Sequence, residues 1–373
     1  MALVHDYLKD FGGAESVLET LSDIFPDAPI FTTLYHPRSL GPHRQRLEAK
    51  WSSRIRQSFF RFFPFAHKLI SPLRVLSPLA FWFFDFRAFD LIITSATGAY
   101  FPNSLRKGTA KLLCYCHTPP RYLYGLATGR DLTKQRLIWF CARIANHFLR
   151  LLDFHWAQNV DQFVANSRTT ALRIQKFYRR DALVINPPVE LPKRVPLLVK
   201  GGARGGFEEF YLTGGRLAWA KRYDIAVQAC NQLQVPLKVF GRDFAGIESE
   251  LKKIAGPTIE FLGEVTQEEK ARLFQSAKAY IFCSDNEDFG IVSVEAQGHG
   301  CPVVGYNTGG ITETVVDGRT GVLFDQLTPS SLSAAIKKFA TLKIDSKDCV
   351  AHAQQFSKDN FVSKINHLVT NVR

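Results

Sequence analysis

The sequence predicts an α/β protein made of two doubly wound halves that face each other across a cleft. Three observations lead there. The chain has 373 residues, more than one hydrophobic core usually organises, so two domains are expected. Short apolar runs alternate with stretches whose apolar residues recur at helical spacing, as buried parallel strands and their crossover helices do. The alternation stops at a stretch rich in proline, glycine and basic residues, then starts again.

In chain order, "ALVH" (2–5) reads as a short buried strand, followed by a helix that carries Val17, Leu18, Leu21, Ile24 and Phe25 on one face. "DLIITSA" (90–96), "KLLCYC" (111–116) and "QFVANS" (162–167) are the next strands. "PPVELPKRVPLLVKGGARGGF" (187–207) has no period and contains the linker, placed at 191–207 between domains 1–190 and 208–355. Strands at "FYLTGG", "LKVFGR", "IEFLGE", "AYIFCS", "CPVVGY" and "GVLF" then build the second half. Its helices are expected from about Asp224, Ala245, Gly290 and Ile311. The last residues, 356–373, read as a helix packing back on the first half. Ligands are expected in the cleft, because open α/β sheets bind them at the carboxyl ends of their strands.

Composition narrows the class. Seven scattered cysteines, an odd number mostly inside apolar runs, suit reduced thiols and a cytoplasmic location. Met1 leads straight into "ALVH" without the basic region and cleavage site of a secretory leader, so export is not expected. The longest strongly apolar run is "LAFWFF" (79–84), far short of the roughly 20 residues of a spanning helix. The net charge of +13 calls for an anionic partner. From Arg38 to Arg87, ten Lys/Arg stand against only Glu48 and Asp85, interleaved with aromatics and cut by Pro64, Pro72 and Pro78. Two readings remain open for this basic insertion (38–87): a helical subdomain with its Phe residues in the core, or a surface meeting anionic membrane lipid. Nucleic acid is not expected, since no RNA-binding signature accompanies the aromatics.

The chemistry concentrates in "NEDFGIVSVEAQGHGCPVVGYNTGG" (286–310). A helix starting at Gly290 points the free N–H groups of Gly290, Ile291 and Val292 at a phosphate. Glu295, one turn in, suits a ribose diol, and Glu287, just before the turn, suits a sugar. Upstream, "GGRLAWAKRYD" brings Arg216 and Lys221 to a strand end, where two fixed cations can neutralise a leaving diphosphate without metal. No D-x-D occurs in the chain. Gly309 and Gly310 are expected to let backbone approach a ligand, with Glu313 nearby. "CYCH" is a poor metal clamp, because Cys114 and Cys116 share one face of a strand and His117 takes the other.

"GRLAWAKRYD", "FLGEV" and "EDFGIVSVEAQGHGCPVVGYNTGGITETVVDGRTGVLF", with "VHDYLKDFGGAESVL" and "CYCHTPPRYLY" in the first half, resemble the GT-B retaining glycosyltransferases of family 4. The likeness extends most to bacterial mannosyltransferases of O-antigen and exopolysaccharide assembly. It implies two Rossmann-like domains and a donor site made of Arg216, Lys221, Glu287, Phe289, Gly290, Ile291, Val292 and Glu295, with Leu262 and Gly263 at the base. It implies that Gly12 and Gly13 approach phosphate and acceptor, and that His117 hydrogen-bonds the transferred sugar. Glu287, His117, Arg216 and Lys221 are then the catalytic set. The implied reaction needs no cofactor: a hexose leaves a nucleoside diphosphate sugar, GDP-mannose favoured, for a lipid-linked glycan at the inner face of the plasma membrane. A UDP-sugar donor, or epimerisation of a sugar nucleotide, is the alternative. The chain departs from the family pattern at Gly125 and at the triplet Ala218, Trp219, Ala220 between the two cations.

Overall fold

The computed structural model describes residues 1–126, 136–192, 209–243 and 246–372. They gather into two compact units, one holding residues 1–126, 136–188 and 358–372, the other residues 189–192, 209–243 and 246–357. Most of the linker expected at 191–207, and the helix start expected near Ala245, lie outside the described residues. The unit limits fall at Pro188/Val189 and Ser357/Lys358.

The first unit is a seven-stranded parallel sheet. Its strands are β1 (Ala2–His5), β2 (Ile30–Thr32), β3 (Ile55–Gln57), β4 (Leu91–Ala96), β5 (Lys111–Cys116), β6 (Gln162–Ala165) and β7 (Ala182–Val184), in the order β3-β2-β1-β4-β5-β6-β7. Helices α1 (Gly13–Ile24), α2 (Arg44–Trp51), α3 (Ile70–Leu73), α4 (Ser77–Trp82), α5 (Arg136–Gln158) and α6 (Arg168–Tyr178) connect them. Strand order reverses beside β1, where β4 pairs on its second edge and His5 lies opposite Ser95. The next residue, Asp6, is buried. Its Oδ2 accepts from Thr97 Oγ1 (2.5 Å), Ala99 N–H (3.3 Å) and Tyr100 N–H (3.1 Å), tying the loop after β4 to the end of β1.

The stretch 38–87, read as an insertion, is partly sheet: α2 leads into β3, which pairs in parallel with β2. Trp51 of α2 is fully buried and donates from Nε1 to Ser22 Oγ at 3.0 Å. Arg54 closes the end of α1 by donating to the carbonyls of Ser22 (3.1 Å), Phe25 (2.7 Å) and Ala28 (2.8 Å), which is where cations favour a helix. The aromatic rings divide. Phe60, Phe81 and Phe86 sit in the core with Ile92 and Leu112, whereas Phe62, Phe65, Trp82 and Phe83 stay exposed. The buried rings fit the helical-subdomain reading, which leaves the exposed ones without a core role.

The second unit is a six-stranded parallel sheet of β8 (Tyr211–Gly214), β9 (Leu237–Phe240), β10 (Ile259–Gly263), β11 (Tyr280–Phe282), β12 (Val303–Tyr306) and β13 (Gly321–Phe324), in the order β10-β9-β8-β11-β12-β13. Its helices are α7 (Tyr223–Leu233), α8 (Glu248–Ile254), α9 (Gln267–Ser276), α10 (Ile291–Gly298), α11 (Ile311–Thr314), α12 (Pro329–Thr341) and α13 (Ser346–Ala353). The order reverses between β8 and β11, which makes the loops after those two strands the expected ligand-binding edge.

Helix α14 (Lys358–Val372) belongs to the first unit. Phe361, Ile365, Leu368 and Val369 form one helical face, buried with Leu3, Leu21, Ile93 and Tyr115. Each large apolar side chain so buried stabilises the unit by about 1.5–3 kcal/mol. Among the described residues no helix is long and apolar enough to cross a membrane. The six cysteines with described side chains form no disulfide among the described residues and are buried; the side chain of Cys141 lies outside the described residues.

Candidate functional site

The edge of the second unit is built by two loops that hold each other. The loop after β8 ends in a single turn at Trp219–Lys221, and the loop after β11 runs from Cys283 to Gly290. Asp285 N–H donates to the Ala220 carbonyl at 3.0 Å, and Ser284 Oγ reaches the same carbonyl at 3.4 Å. This lock brings together two residues 66 positions apart: Lys221 Nζ donates to a carboxylate oxygen of Glu287. The same carboxylate accepts from Ser284 Oγ at 2.6 Å. Lys221 also lies over the Phe282 ring, 5.8 Å from its centre. Arg216 is exposed at the end of β8, its carbonyl accepting from Tyr223 Oη at 3.4 Å. Trp219, between the two cations, keeps 44% of its surface exposed, so packing alone does not account for it.

Helix α10 begins where the sequence places it. Its N-cap, Gly290, has φ +90°, in the left-handed region that favours glycine. The N–H groups of Gly290, Ile291 and Val292 donate to no group among the described residues, so three donors and the positive end of the helix dipole stay open to an anion. Glu295, one turn further, accepts from Lys270 Nζ at 3.1 Å on each oxygen. Lys270 was not singled out in the sequence. It lies on α9, 25 positions from its partner, and only the capping box at Thr266 and Glu269, which fixes where α9 starts, hints at its facing.

Several expectations change. Gly309 and Gly310 were expected to bring backbone to a ligand, but their close approach is internal. A Cβ on Gly309 would lie 2.3 Å from the Glu287 carbonyl oxygen, and one on Gly310 would lie 2.3 Å from Phe289 Cα. Gly310 N–H donates to the Glu287 carbonyl at 2.8 Å, so the pair supports the turn that presents Glu287. The side chain of Phe289 is buried with Val189, Val294 and Phe356, which leaves only its backbone for a ligand. Leu262 and Gly263 end β10, where Gly263 has φ +69° and accepts from Gly241 N–H at 2.6 Å.

In the first unit, Gly12 precedes α1 and Gly13 opens it. The Gly12 N–H is already taken by Glu15 Oε2 at 2.9 Å, a local cap in place of an open phosphate donor. Its φ of −153° is ordinary extended backbone. His117 follows β5 and is buried; its Nε2 meets Ser95 Oγ at 2.9 Å, and its ring stands edge-on to Tyr115. Burial, and the neighbouring His5, hold its pKa down to about 3, so the imidazole is neutral. Cys114 and Cys116 point to the opposite face, into the core with Ala2 and Ile92.

Two parallel-sheet Rossmann-like units, the second with this helix start and cation pair at its switch point, define the GT-B fold. The first unit matches the model "Glycosyltransferase Family 4" over residues 11–192, and the second matches "Glycosyl transferases group 1" over residues 202–356. Together with the relatives below, the two matches support a glycosyltransferase of GT-B type. It is 26% identical over 322 residues to the alpha-1,3/1,6-mannosyltransferase ALG2 of Homo sapiens, covering 76% of this chain and 73% of that one. It is 32% identical over 209 residues to a D-inositol 3-phosphate glycosyltransferase of Nocardioides sp., covering 48% of this chain and 45% of that protein. The matched stretch thus spans about half the length of that relative. Among solved structures, HepE of Anabaena in complex with UDP and glucose superposes with a TM-score of 0.68 at 19% identity, covering 99% of each chain. Sucrose-phosphate synthase of Thermosynechococcus elongatus superposes with a TM-score of 0.72 at 17% identity, covering 100% and 99%. At these identities the two structures establish the fold alone.

Proposed function

We propose that the chain is a retaining, metal-independent hexosyltransferase that takes its sugar from a nucleoside diphosphate donor. The observation that carries this reading is the lock between the loops after β8 and β11, which sets Lys221 against Glu287 beside three open N–H groups at 290–292. Departure of the diphosphate builds negative charge; Arg216, Lys221 and the start of α10 stabilise it more in the transition state than before it. Glu287 faces the sugar and Glu295 the ribose diol, each leaving its present lysine partner as the donor enters. Leu262 and Gly263 contact the base, and His117 hydrogen-bonds the transferred sugar. Substitution proceeds on one face, the leaving phosphate accepting the proton of the acceptor hydroxyl.

GDP-mannose is the favoured donor. The likeness to a mannosyltransferase supports the sugar, while the HepE structure, solved with UDP and glucose, supports a uridine donor as the second reading. Thermal-shift measurements with GDP-mannose, UDP-glucose and an ADP-sugar separate them. A donor at 100 times its Kd adds about 2.7 kcal/mol to stability, so the true donor should raise the melting temperature most. No shift from any of the three would count against the transferase reading.

The acceptor is a lipid-linked glycan met at an anionic membrane surface, the inner face of the plasma membrane, where lipid-linked surface glycans are extended. Phe62, Phe65, Trp82 and Phe83 are exposed, with Arg61, Lys68 and Arg106 lying over the rings of Phe62, Phe65 and Trp82. Apolar rings ringed by cations fit the boundary between acyl chains and anionic headgroups. Flotation should carry the protein up with vesicles containing phosphatidylglycerol and not with phosphatidylcholine alone, and Phe62→Ser with Phe83→Ser should abolish it. Equal flotation with neutral vesicles would contradict the electrostatic share.

A further inference from the structure

We infer that Glu15, His5 and Ser95 act as a chain of positioning residues that fixes which ring nitrogen of His117 carries the proton. As a result, its Nδ1 lone pair is presented to a hydroxyl donor. The inference deepens the proposed contact between His117 and the sugar and rests on it for its functional part.

The four groups come from α1, β1, β4 and the end of β5. Strands β1, β4 and β5 are neighbours in the sheet, and His5 is in register with Ser95. Glu15 Oε1 lies 3.6 Å from His5 Nε2, His5 Nδ1 lies 3.1 Å from Ser95 Oγ, and Ser95 Oγ lies 2.9 Å from His117 Nε2. His5 and Ser95 have no exposed surface.

A serine hydroxyl has one proton, so Ser95 donates to one of the two imidazoles and accepts from the other. Two imidazoles that each carry one ring proton can be joined through this hydroxyl in only two ways. Glu15 selects between them. Its second oxygen is held by the Gly12 N–H at 2.9 Å, which fixes the carboxylate in place. At 3.6 Å it is beyond hydrogen-bond range of His5 Nε2, yet a carboxylate favours a proton on that nitrogen over a lone pair pointed at it. With Nε2 protonated, His5 Nδ1 accepts the Ser95 proton. Ser95 Oγ then accepts from His117 Nε2–H, and the lone pair of His117 falls on Nδ1. That nitrogen has no partner among the described residues and is not one of the polar atoms sealed without one. Because His117 is neutral, the lone pair is available to a sugar hydroxyl that donates.

Long-range proton–nitrogen NMR on the full chain labelled with ¹⁵N-histidine reads the wiring without any activity assay, His117→Ala identifying the resonance. Wild-type His117 should show its proton on Nε2. Glu15→Gln should move it to Nδ1, because the amide of glutamine donates to His5 Nε2 and reverses every link, while its carbonyl keeps the bond from Gly12. Ser95→Ala should give a mixture and Ser95→Thr should restore the wild-type pattern. A proton on Nδ1 in the wild type, or an unchanged tautomer in Glu15→Gln, would overturn the chain. In transfer assays Glu15→Gln should lower kcat/KM by about tenfold or more, as expected for an unmade hydrogen bond to the substrate. Unchanged transfer in His117→Ala would overturn the sugar contact and the use of the lone pair, the NMR result alone judging the wiring.

Discussion

Replacing Lys221 by methionine should lower kcat for sugar transfer by about 10²- to 10³-fold, the loss expected when one fixed group stabilising developing charge is removed. The long apolar stem is retained over the Phe282 ring, where Lys221 now lies 5.8 Å from the ring centre. The change is therefore one of charge more than of packing. Lys221 and Glu287 are both partly exposed, 29% and 19%, so their ion pair contributes little to stability in water, and the melting temperature should move by only a few degrees. Ser284 still donates to Glu287 at 2.6 Å, which keeps the carboxylate in place. Comparing kcat with KM locates the effect: a fall in kcat at nearly constant KM identifies charge stabilised in the transition state, and a rise in KM alone would reduce Lys221 to a ground-state anchor.

Gly310→Ala should damage both fold and site. Gly310 has φ −65°, a conformation alanine adopts freely, so the effect is steric. The new Cβ would meet Phe289 Cα at 2.3 Å, the Asp288 carbonyl oxygen at 2.6 Å and Phe289 N at 2.7 Å. These are backbone atoms and cannot rotate away. Overpacking of this kind costs about 1–3 kcal/mol or more, and it strains the bond from Gly310 N–H to the Glu287 carbonyl. Denaturant titration should show a lowered midpoint. Calorimetry should show weaker binding of the donor, because the turn that carries Glu287 and leads into α10 is displaced. Unchanged midpoint and unchanged affinity together would mean that the two loops separate freely.

The long apolar runs of β4 and β5, six residues each, were legible because every residue but one is buried and no solvent-facing alternation interrupts them. The three-residue strands β2, β3 and β7 were not, whereas the equally short β11 was marked by the apolar run "AYIFCS" around it. Three residues carry no measurable period, and the edge strands β3 and β7 are only half buried, so their strand state follows from pairing with a neighbour. In the same way Phe60 and Phe62 look alike in sequence, yet one is fully buried and the other 73% exposed. Composition assigned aromatic rings to this region, but which of them face the core depends on how the short helices there sit against the sheet.

The site divides along the same line. Residues within one loop or one helix start, such as Glu287, Gly290, Ile291, Val292 and Glu295, are placed by local rules that the sequence states: a glycine with positive φ, a strand before it and an apolar helical face after it. By itself the sequence determined the doubly wound halves, the start of α10 and the residue types around it. Only the tertiary structure decided the partners. Lys221 meets Glu287, Lys270 meets Glu295, Gly310 supports the turn and not a ligand, and Ser95 joins His5 to His117. Those contacts join residues far apart in the chain, and their geometry is set by sheet register and helix packing, which no short stretch of sequence contains.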